Sequence, residues 1–568
     1  MKRLIILLVI PLIFISCENL FESYLNKGPL DKLSETSYWQ TGNDALYAVN
    51  GLYEGFFEFR KRGDGPAGPG GFPDYDATLD IFHYKDNWKM PMWGAGEGTW
   101  NANNDFVREF WDDKYKFIRN ANFFFENIDR VRSSISEKDY NNYCGQARVV
   151  RAFLYFRLVQ GFGDVPLVTN TLETTDWPGR DPAEQVMDFV FSEFDKAITE
   201  LPEEQSDNLH GRINKDVARI YKARAALHYA GYYGKTGYYQ IAYDALDPVV
   251  KSGKYELWNK NENPVMNYQE MFWTENEGQE NKEMVFSFQF IKDKYPSNIS
   301  TCFAGPGWKS HQVMQNFIDQ FECKHGFQAH GISFKEMNEY RDTKALKSPL
   351  EGVCPDYDPF HEFEHRDPRL SATFMNGNPR LNKEGNIVRD GEFWEPGQYH
   401  IYQEWENDCY SMKKLVQPTN FNPEYYYGNS DNNFPLIRYA DVLLLYAEVL
   451  NELDQTTEAV PYINKVRARA DMPPVVSSDK AEVLEIIKHE RKIELVNENH
   501  LIWDYKRWKE YERTMPYGAK FYGFRRETFG HESQLNHTKY LVFPKYNLWP
   551  IPQGELINNK NMTQNPEW

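Results

Sequence analysis

Helical rhythm recurs in pairs along this chain, and that pairing limits the possible folds more than any single motif. Apolar residues three and four apart mark a helix with one buried face. The first such stretch is Asp44–Phe59, with Leu46, Val49, Leu52, Tyr53 and Phe56 on one side. Others cover Phe110–Ile128, Tyr140–Gln160, Pro182–Thr199, Lys215–Gly231 and Tyr239–Ser252. Within Tyr140–Gln160, the residues Val150, Phe153, Leu154, Arg157 and Leu158 are expected to alternate between core and rim. Gly161 and Gly163 should end that helix, since glycine accepts the left-handed backbone a terminus needs. Ala218, Ala223, Ala225, Ala226 and Ala230 offer small side chains for close helix approach, and Pro248 is expected to kink or end the helix that follows.

Residues 254–433 break the pattern. Short apolar runs such as Met284–Ile291 sit there among Gly, Pro and Asn clusters, which predicts loops with short strands. Helices return over Phe434–Leu453 and Glu458–Ala470. A capping box, Asp479-x-x-Glu482, opens a helix to Val496, and His500–Tyr511 continues the pattern. The tail Pro544–Trp568 reads as irregular. Helix pairs at roughly 35-residue spacing suggest a helix-turn-helix repeat scaffold. The expectation is a mainly α fold with helical regions at 41–253 and 434–568 and a loop-rich insertion between them. Repeat scaffolds carry such insertions on one face, often the binding face.

The N-terminus is a different kind of segment. Lys2 and Arg3 precede an uncharged run of twelve residues, Leu4–Ile15, closed by Ser16-Cys17. Positive start, short apolar core and small-residue junction describe a secretory signal peptide, residues 1–16. The run is shorter than the ~20 residues of a spanning helix. A Cys at the junction resembles a lipobox, although Phe14 departs from its usual Leu. Cys17 is therefore the expected lipid attachment site, with 17–40 as a tether; the plainer alternative is that Cys17 merely begins a secreted domain.

A net charge of −19 argues against nucleic acid as a partner, because phosphate binding is driven by Lys and Arg. Five cysteines follow Cys17 at wide spacing with no C-x-x-C pair, so zinc ribbons and redox motifs are absent, and buried thiols are expected. There is no Walker loop and no G-x-S-x-G elbow, and no cofactor is expected. The string His361-Glu362-Phe363-Glu364-His365 matches H-E-x-x-H, which on a helix would hold zinc with Glu362 as general base. Pro355, Pro359 and Pro368 crowd it, and a residue before proline disfavours helix. A surface charge cluster is the expectation, with a zinc hydrolase as the catalytic alternative.

Aromatic residues make up 16% of the chain. Flat Trp and Tyr rings can stack on the apolar faces of a sugar at low entropic cost. Tyr75, Trp88, Trp93 and Trp100 lie in one loop-like stretch, and Tyr295 and Trp308 in another. These six are the candidate ligand contacts, with core packing as the alternative for each. The loops Asp74–Trp100 and Tyr295–Lys309 are expected to converge on one exposed face.

An ordered set of strings resembles the SusD/RagB family, surface lipoproteins of Bacteroidetes, over nearly the whole chain. After Cys17 come Arg151-Ala-Phe-Leu-Tyr-Phe, Gly161-Phe-Gly-Asp-Val-Pro166 and Asp367-Pro-Arg-Leu370. Then follow Pro435-Leu-Ile-Arg-Tyr-Ala-Asp through Glu448, Glu490-Arg-Lys-Ile-Glu-Leu495, and Pro550-Ile-Pro-Gln553 to Asn565-Pro-Glu-Trp568. The resemblance implies four tetratricopeptide-like helix pairs and a variable loop-rich half. It implies a non-enzymatic lid of a SusC-like, TonB-dependent outer-membrane transporter, lipid-anchored at the cell surface and capturing oligosaccharides. Capture of peptides, as in members resembling RagB, is the alternative within the same fold.

Overall fold

The computed structural model describes residues 38–57, 75–84, 96–206, 211–273, 280–297, 311–340, 348–359, 361–374, 379–381, 387–389, 410–416, 431–523 and 535–568. Cys17, Trp88, Trp93 and Trp308 lie outside them. The long helices are α1 Gly42–Leu52, α2 Asp105–Asn127, α3 Glu137–Phe162, α4 Ala183–Glu200, α5 Lys215–Tyr233 and α6 Tyr238–Lys251. After the loop-rich region come α7 Tyr439–Glu452, α8 Thr456–Arg469, α9 Lys480–Leu495 and α10 Leu501–Arg507. Neighbours in sequence pack as neighbours in space: α3 on α4, α5 on α6, α7 on α8. The two helical regions join where α6 and α5 meet α7.

The caps explain where several helices start. Ser136 accepts from the Asp139 amide to open α3, and Asn214 accepts from the Val217 amide to open α5. Asp479 accepts from the Glu482 amide at the start of α9; the Glu482 carboxylate accepts from the Ser477 hydroxyl. Gly163, at φ +73°, closes α3.

Helix α3 has almost no rim. From Val149 to Gly163 every residue is buried, including Arg151 and Arg157, because α1, α2, α4 and α5 all pack on it. Arg151 is tolerated by an ion pair with Glu193 at 2.6 Å, and Arg157 lies 4.2 Å from the Trp503 ring. The expected alternation fails because a central helix has neighbours on all sides. On α5, an added Cβ at Gly231 would sit 2.5 Å from the Arg507 carbonyl oxygen, so glycine lets α10 close against α5.

Pro248 lies inside α6, which runs on to Lys251. One further expectation is corrected. Phe434–Arg438 is a strand rather than the first turn of a helix. Pro435 and a run of bulky side chains suit extended backbone, and the strand pairs antiparallel with Met284–Phe288.

Strands are short: β1 Phe82–Tyr84, β2 Met284–Phe288, β3 His311–Val313, β4 Pro379–Leu381, β5 Ile387–Arg389, β6 Tyr410–Ser411, β7 Phe434–Arg438, β8 Ala519–Tyr522 and β9 Leu535–Lys539. They form a three-stranded sheet β1-β3-β6 and the ladders β2-β7, β4-β5 and β8-β9.

Three of the strings that carry the resemblance, those containing Arg369, Arg438 and Glu490, meet in a buried ion network. Arg369 binds Asp367 at 2.7 Å, Glu490 at 2.7 Å and Glu494 at 3.1 Å. Arg438, at the end of β7, binds Glu283 at 2.6 Å, Glu494 at 3.0 Å and Glu498 at 2.7 Å. Arg467 reaches Glu322 at 2.5 Å, and Arg469 pairs with Glu283 and Glu494. These groups are essentially closed to solvent. A network of this kind ties α8, α9, β7 and the loop region into one body.

Candidate ligand-binding site

Two strands of the sheet β1-β3-β6 adjoin the ring-bearing stretches in sequence. Phe82, Val313 and Tyr410 are buried beneath it. Lys539 of β9 donates to the carbonyls of Leu79 at 2.7 Å and Phe82 at 2.8 Å, holding the base of β1. Asn316 donates to the Asp80 carbonyl at 2.8 Å, and the Asn497 amide to Asp76 at 2.7 Å. Three chain segments distant in sequence thus fix residues 76–82.

β1 pairs antiparallel with β3, and Tyr84 stands opposite His311. In sequence Tyr84 precedes residues 85–95 and His311 follows residues 298–310, two segments outside the described residues. Paired strand residues have Cα atoms only ~4.5–5.5 Å apart. Trp88, Trp93 and Trp308 belong to those two segments.

Tyr75 and Trp100 correct the sequence expectation. Tyr75 has no exposed area; it meets Trp503 edge-on at 5.2 Å and stacks near Trp549. Trp100 is 3% exposed and packs edge-on against Trp549 at 5.5 Å. Both rings belong to an aromatic core centred on Trp549, which leaves them no face for a ligand. The cause is long-range: Trp549 comes from the tail, where sequence rhythm is silent.

Tyr295 is half-buried. Its ring stacks on Phe290 at 6.1 Å and meets Phe57 edge-on at 6.3 Å. Phe57 and Phe288, stacked at 4.0 Å, also line an internal cavity of about 90 Å³. That cavity continues past Arg157, Arg491 and Trp503 to His500, whose imidazole burial and the nearby Arg224 push down to about 3. Its volume is about that of three waters. It falls below the ~300–1,000 Å³ of ordinary ligand pockets.

A larger groove, of about 410 Å³, was not signalled by the expected ring clusters. Its walls come from α2, the chain after α3 and the C-terminal segment: Trp111, Tyr115, Arg119, Leu172, Trp177 and Glu555. Trp177 is 51% exposed. The Trp177 and Pro178 carbonyls accept from Asn561 at 2.6 Å and Asn559 at 2.7 Å, which pins the loop. Burial raises the carboxyls of Asp112 and Glu555, and the charge of Asp112 raises Glu555 further. An exposed ring beside polar rim groups can stack on a sugar and bind its hydroxyls. The signal in the sequence was Trp177-Pro178 inside the polar stretch Glu173–Gly179.

The H-E-x-x-H string lies in turns. His365 has φ +57°, His361 pairs with Asp358 at 2.8 Å, and the buried Glu362 carboxylate accepts from Tyr410 and Gln315. The string has no helix to place both imidazoles on one face. Among the described residues, no helix is long and apolar enough to cross a membrane.

Residues 269–568 match the model of a family described as the SusD family. Residues 76–227 match one described as starch-binding, associating with the outer membrane. The SusD-like protein P38 of Formosa agariphila is 24% identical over 517 residues, covering 87% of this chain and 89% of that protein. A solved SusD-like carbohydrate binding protein from Bacteroides fragilis has a TM-score of 0.74 at 24% identity, covering 93% of this chain and 100% of that one. A laminarin binding SusD-like protein has a TM-score of 0.65 at 19% identity, covering 93% and 100%.

Proposed function

The chain belongs to the SusD family, and on that premise we propose that it captures oligosaccharides at the cell surface for a SusC-like, TonB-dependent outer-membrane transporter. In this reading residues 1–16 are removed, Cys17 carries the lipid anchor, 17–40 form the tether, and the body acts as the transporter's lid. A carbohydrate ligand is supported by the starch-binding description of the matched family model and by the laminarin-binding neighbour. Binding rather than catalysis is the reading, since the turn geometry at His361 and His365 lends a zinc hydrolase no support.

The observation that supports this site is the pairing of Tyr84 with His311, the residues next in sequence to the two tryptophan-bearing segments. Trp88, Trp93 and Trp308 are the proposed stacking rings, with Tyr295 as a further candidate. Calorimetry against a glycan panel tests this. Trp88→Ala, Trp93→Ala and Trp308→Ala should each cost about 1–3 kcal/mol of binding, one to two decades in affinity, with unchanged melting. Trp100→Ala should instead cost ~3–5 kcal/mol of stability. If Trp177→Ala alone abolishes binding, the site is the groove; if only peptides bind, the ligand class is wrong.

The anchor and the lid are tested together. Cys17→Ala should release the protein from membranes, because stable anchoring needs acyl chains that each contribute ~0.8 kcal/mol per buried methylene. Gentle detergent extraction of the wild type should co-purify a large β-barrel. Membrane retention of Cys17→Ala, or recovery of the chain by itself, counts against the reading.

A further inference from the structure

Three ligands for a soft cation lie together in the loop-rich region. One donor atom each from Cys323, His330 and Cys354 falls within 4.8 Å of the other two. Both cysteines are buried and free. Zinc binds thiolate at about 2.3 Å and imidazole at about 2.0–2.1 Å, so tetrahedral ligands stand roughly 3.5–3.8 Å apart. The 4.8 Å limit on the donor separations exceeds that spacing by about 1 Å.

The backbone holds the cluster in place. Cys323 bridges to Arg366 across an antiparallel pair, and the Lys324 amide donates to the His365 carbonyl at 2.8 Å. The chain then turns tightly, with the Gly326 amide donating to the Cys323 carbonyl at 2.9 Å and Gly326 at φ +79°. Inside that turn the His325 amide donates to the Cys323 sulfur. Arg366, itself buried, braces the turn by donating to the Ile318 and Phe321 carbonyls at 2.9 and 2.7 Å.

Histidine partners decide between the uses open to two adjacent thiols. His325 is held by Asp356 at 2.8 Å, and His361 by Asp358 at 2.8 Å. The Nε2 atom of His330 is buried and has no hydrogen-bond partner. A disulfide between Cys323 and Cys354 would leave that nitrogen as it is, whereas a cation engages all three residues. Two sulfurs and an imidazole suit zinc-class ions, while calcium and magnesium require oxygen. We propose that Cys323, His330 and Cys354 form a binding site for a thiophilic cation of the zinc class, with a fourth position open to water. The site would staple 323–330 to 354 within the loop-rich region, next to the turns that carry His361 and His365. Sequence spacing hides it, because neither C-x-x-C nor H-x-x-x-H occurs among these residues.

The full chain, reduced and stripped by a chelator, is titrated with Co²⁺ and then with Zn²⁺. The expected result is a sulfur-to-cobalt charge-transfer band that saturates at a single equivalent and is discharged by Zn²⁺. Cys354→Ser should remove most of the band. His330→Gln should keep the melting temperature of the metal-free protein while weakening affinity at least about tenfold. Added Zn²⁺ should raise the melting temperature of the wild type and not of Cys354→Ser. The proposal is overturned if the wild type shows no such band, if the band survives Cys354→Ser unchanged, or if His330→Gln binds like the wild type. It is equally overturned if chain alkylated at cell lysis carries a Cys323–Cys354 disulfide.

Discussion

Replacing Glu494 with leucine should destabilise the fold by on the order of 3–5 kcal/mol, the cost of removing one partner from a buried ion pair. Glu494 faces three guanidiniums: Arg369 at 3.1 Å, Arg438 at 3.0 Å, and Arg469. All four side chains are buried, so the arginines left behind cannot recover the lost charge from water. Burial pushes the Glu494 carboxyl up, yet Arg469, Arg438 and Arg369 overrule it and hold it at about 2. The sign follows from this depression. Glu494 contributes fully above its ordinary 4.5, and its contribution is lost as pH falls from there towards 2. Urea unfolding at neutral pH measures the variant, and an acid titration measures the slope. The exposed pair Lys235–Glu184, at 2.9 Å, is the control, because such pairs contribute about 0–1 kcal/mol. Equal losses from Glu494→Leu and Glu184→Ala would mean that the network does not hold the fold.

Lys506→Met should do the reverse and stabilise the protein at neutral pH. The Lys506 ammonium lies 5.4 Å from the Trp503 ring and 5.5 Å from the Trp549 ring, buried and without a hydrogen-bond acceptor. Burial, with the positive charge of Arg157 added, lowers it from 10.5 to about 7. Between these values the unfolded chain holds a proton that the folded chain lacks, so stability rises with pH across the window. Below about 7 the cost is present in full. It is on the order of several kcal/mol, since each tenfold loss of proton affinity on folding costs ~1.4 kcal/mol. Methionine fills a similar volume without charge. Thermal melts across that window should show the wild type approaching Lys506→Met as pH rises. Parallel curves for the two proteins would mean that Lys506 is not the titrating group.

The long helices were legible because their signals are local. Rhythm over Lys215–Gly231 and the Asp479–Glu482 cap depend on residues three and four apart, and the structure places α5 and α9 there. Phe434–Arg438 misled because a short apolar run suits helix or strand, and its partner Met284–Phe288 lies far away in sequence. The family strings were legible as strings, but their physical purpose was not. Arg369 belongs to Asp-Pro-Arg-Leu and Glu494 to Glu-Arg-Lys-Ile-Glu-Leu, and nothing in either string says that they meet at 3.1 Å.

Taken alone, the sequence determined the helical segments, the loop-rich stretch between them and the family resemblance. Each of these is set by neighbours a few residues apart or by a short ordered string. Tertiary structure decided the fate of individual side chains. It sent Tyr75 and Trp100 to the Trp549 core, left Trp177 exposed beside a groove, paired Tyr84 with His311, and gathered Cys323, His330 and Cys354. Burial and proximity are sums over contacts between distant parts of the chain, so the rhythm of any one segment carries no record of them.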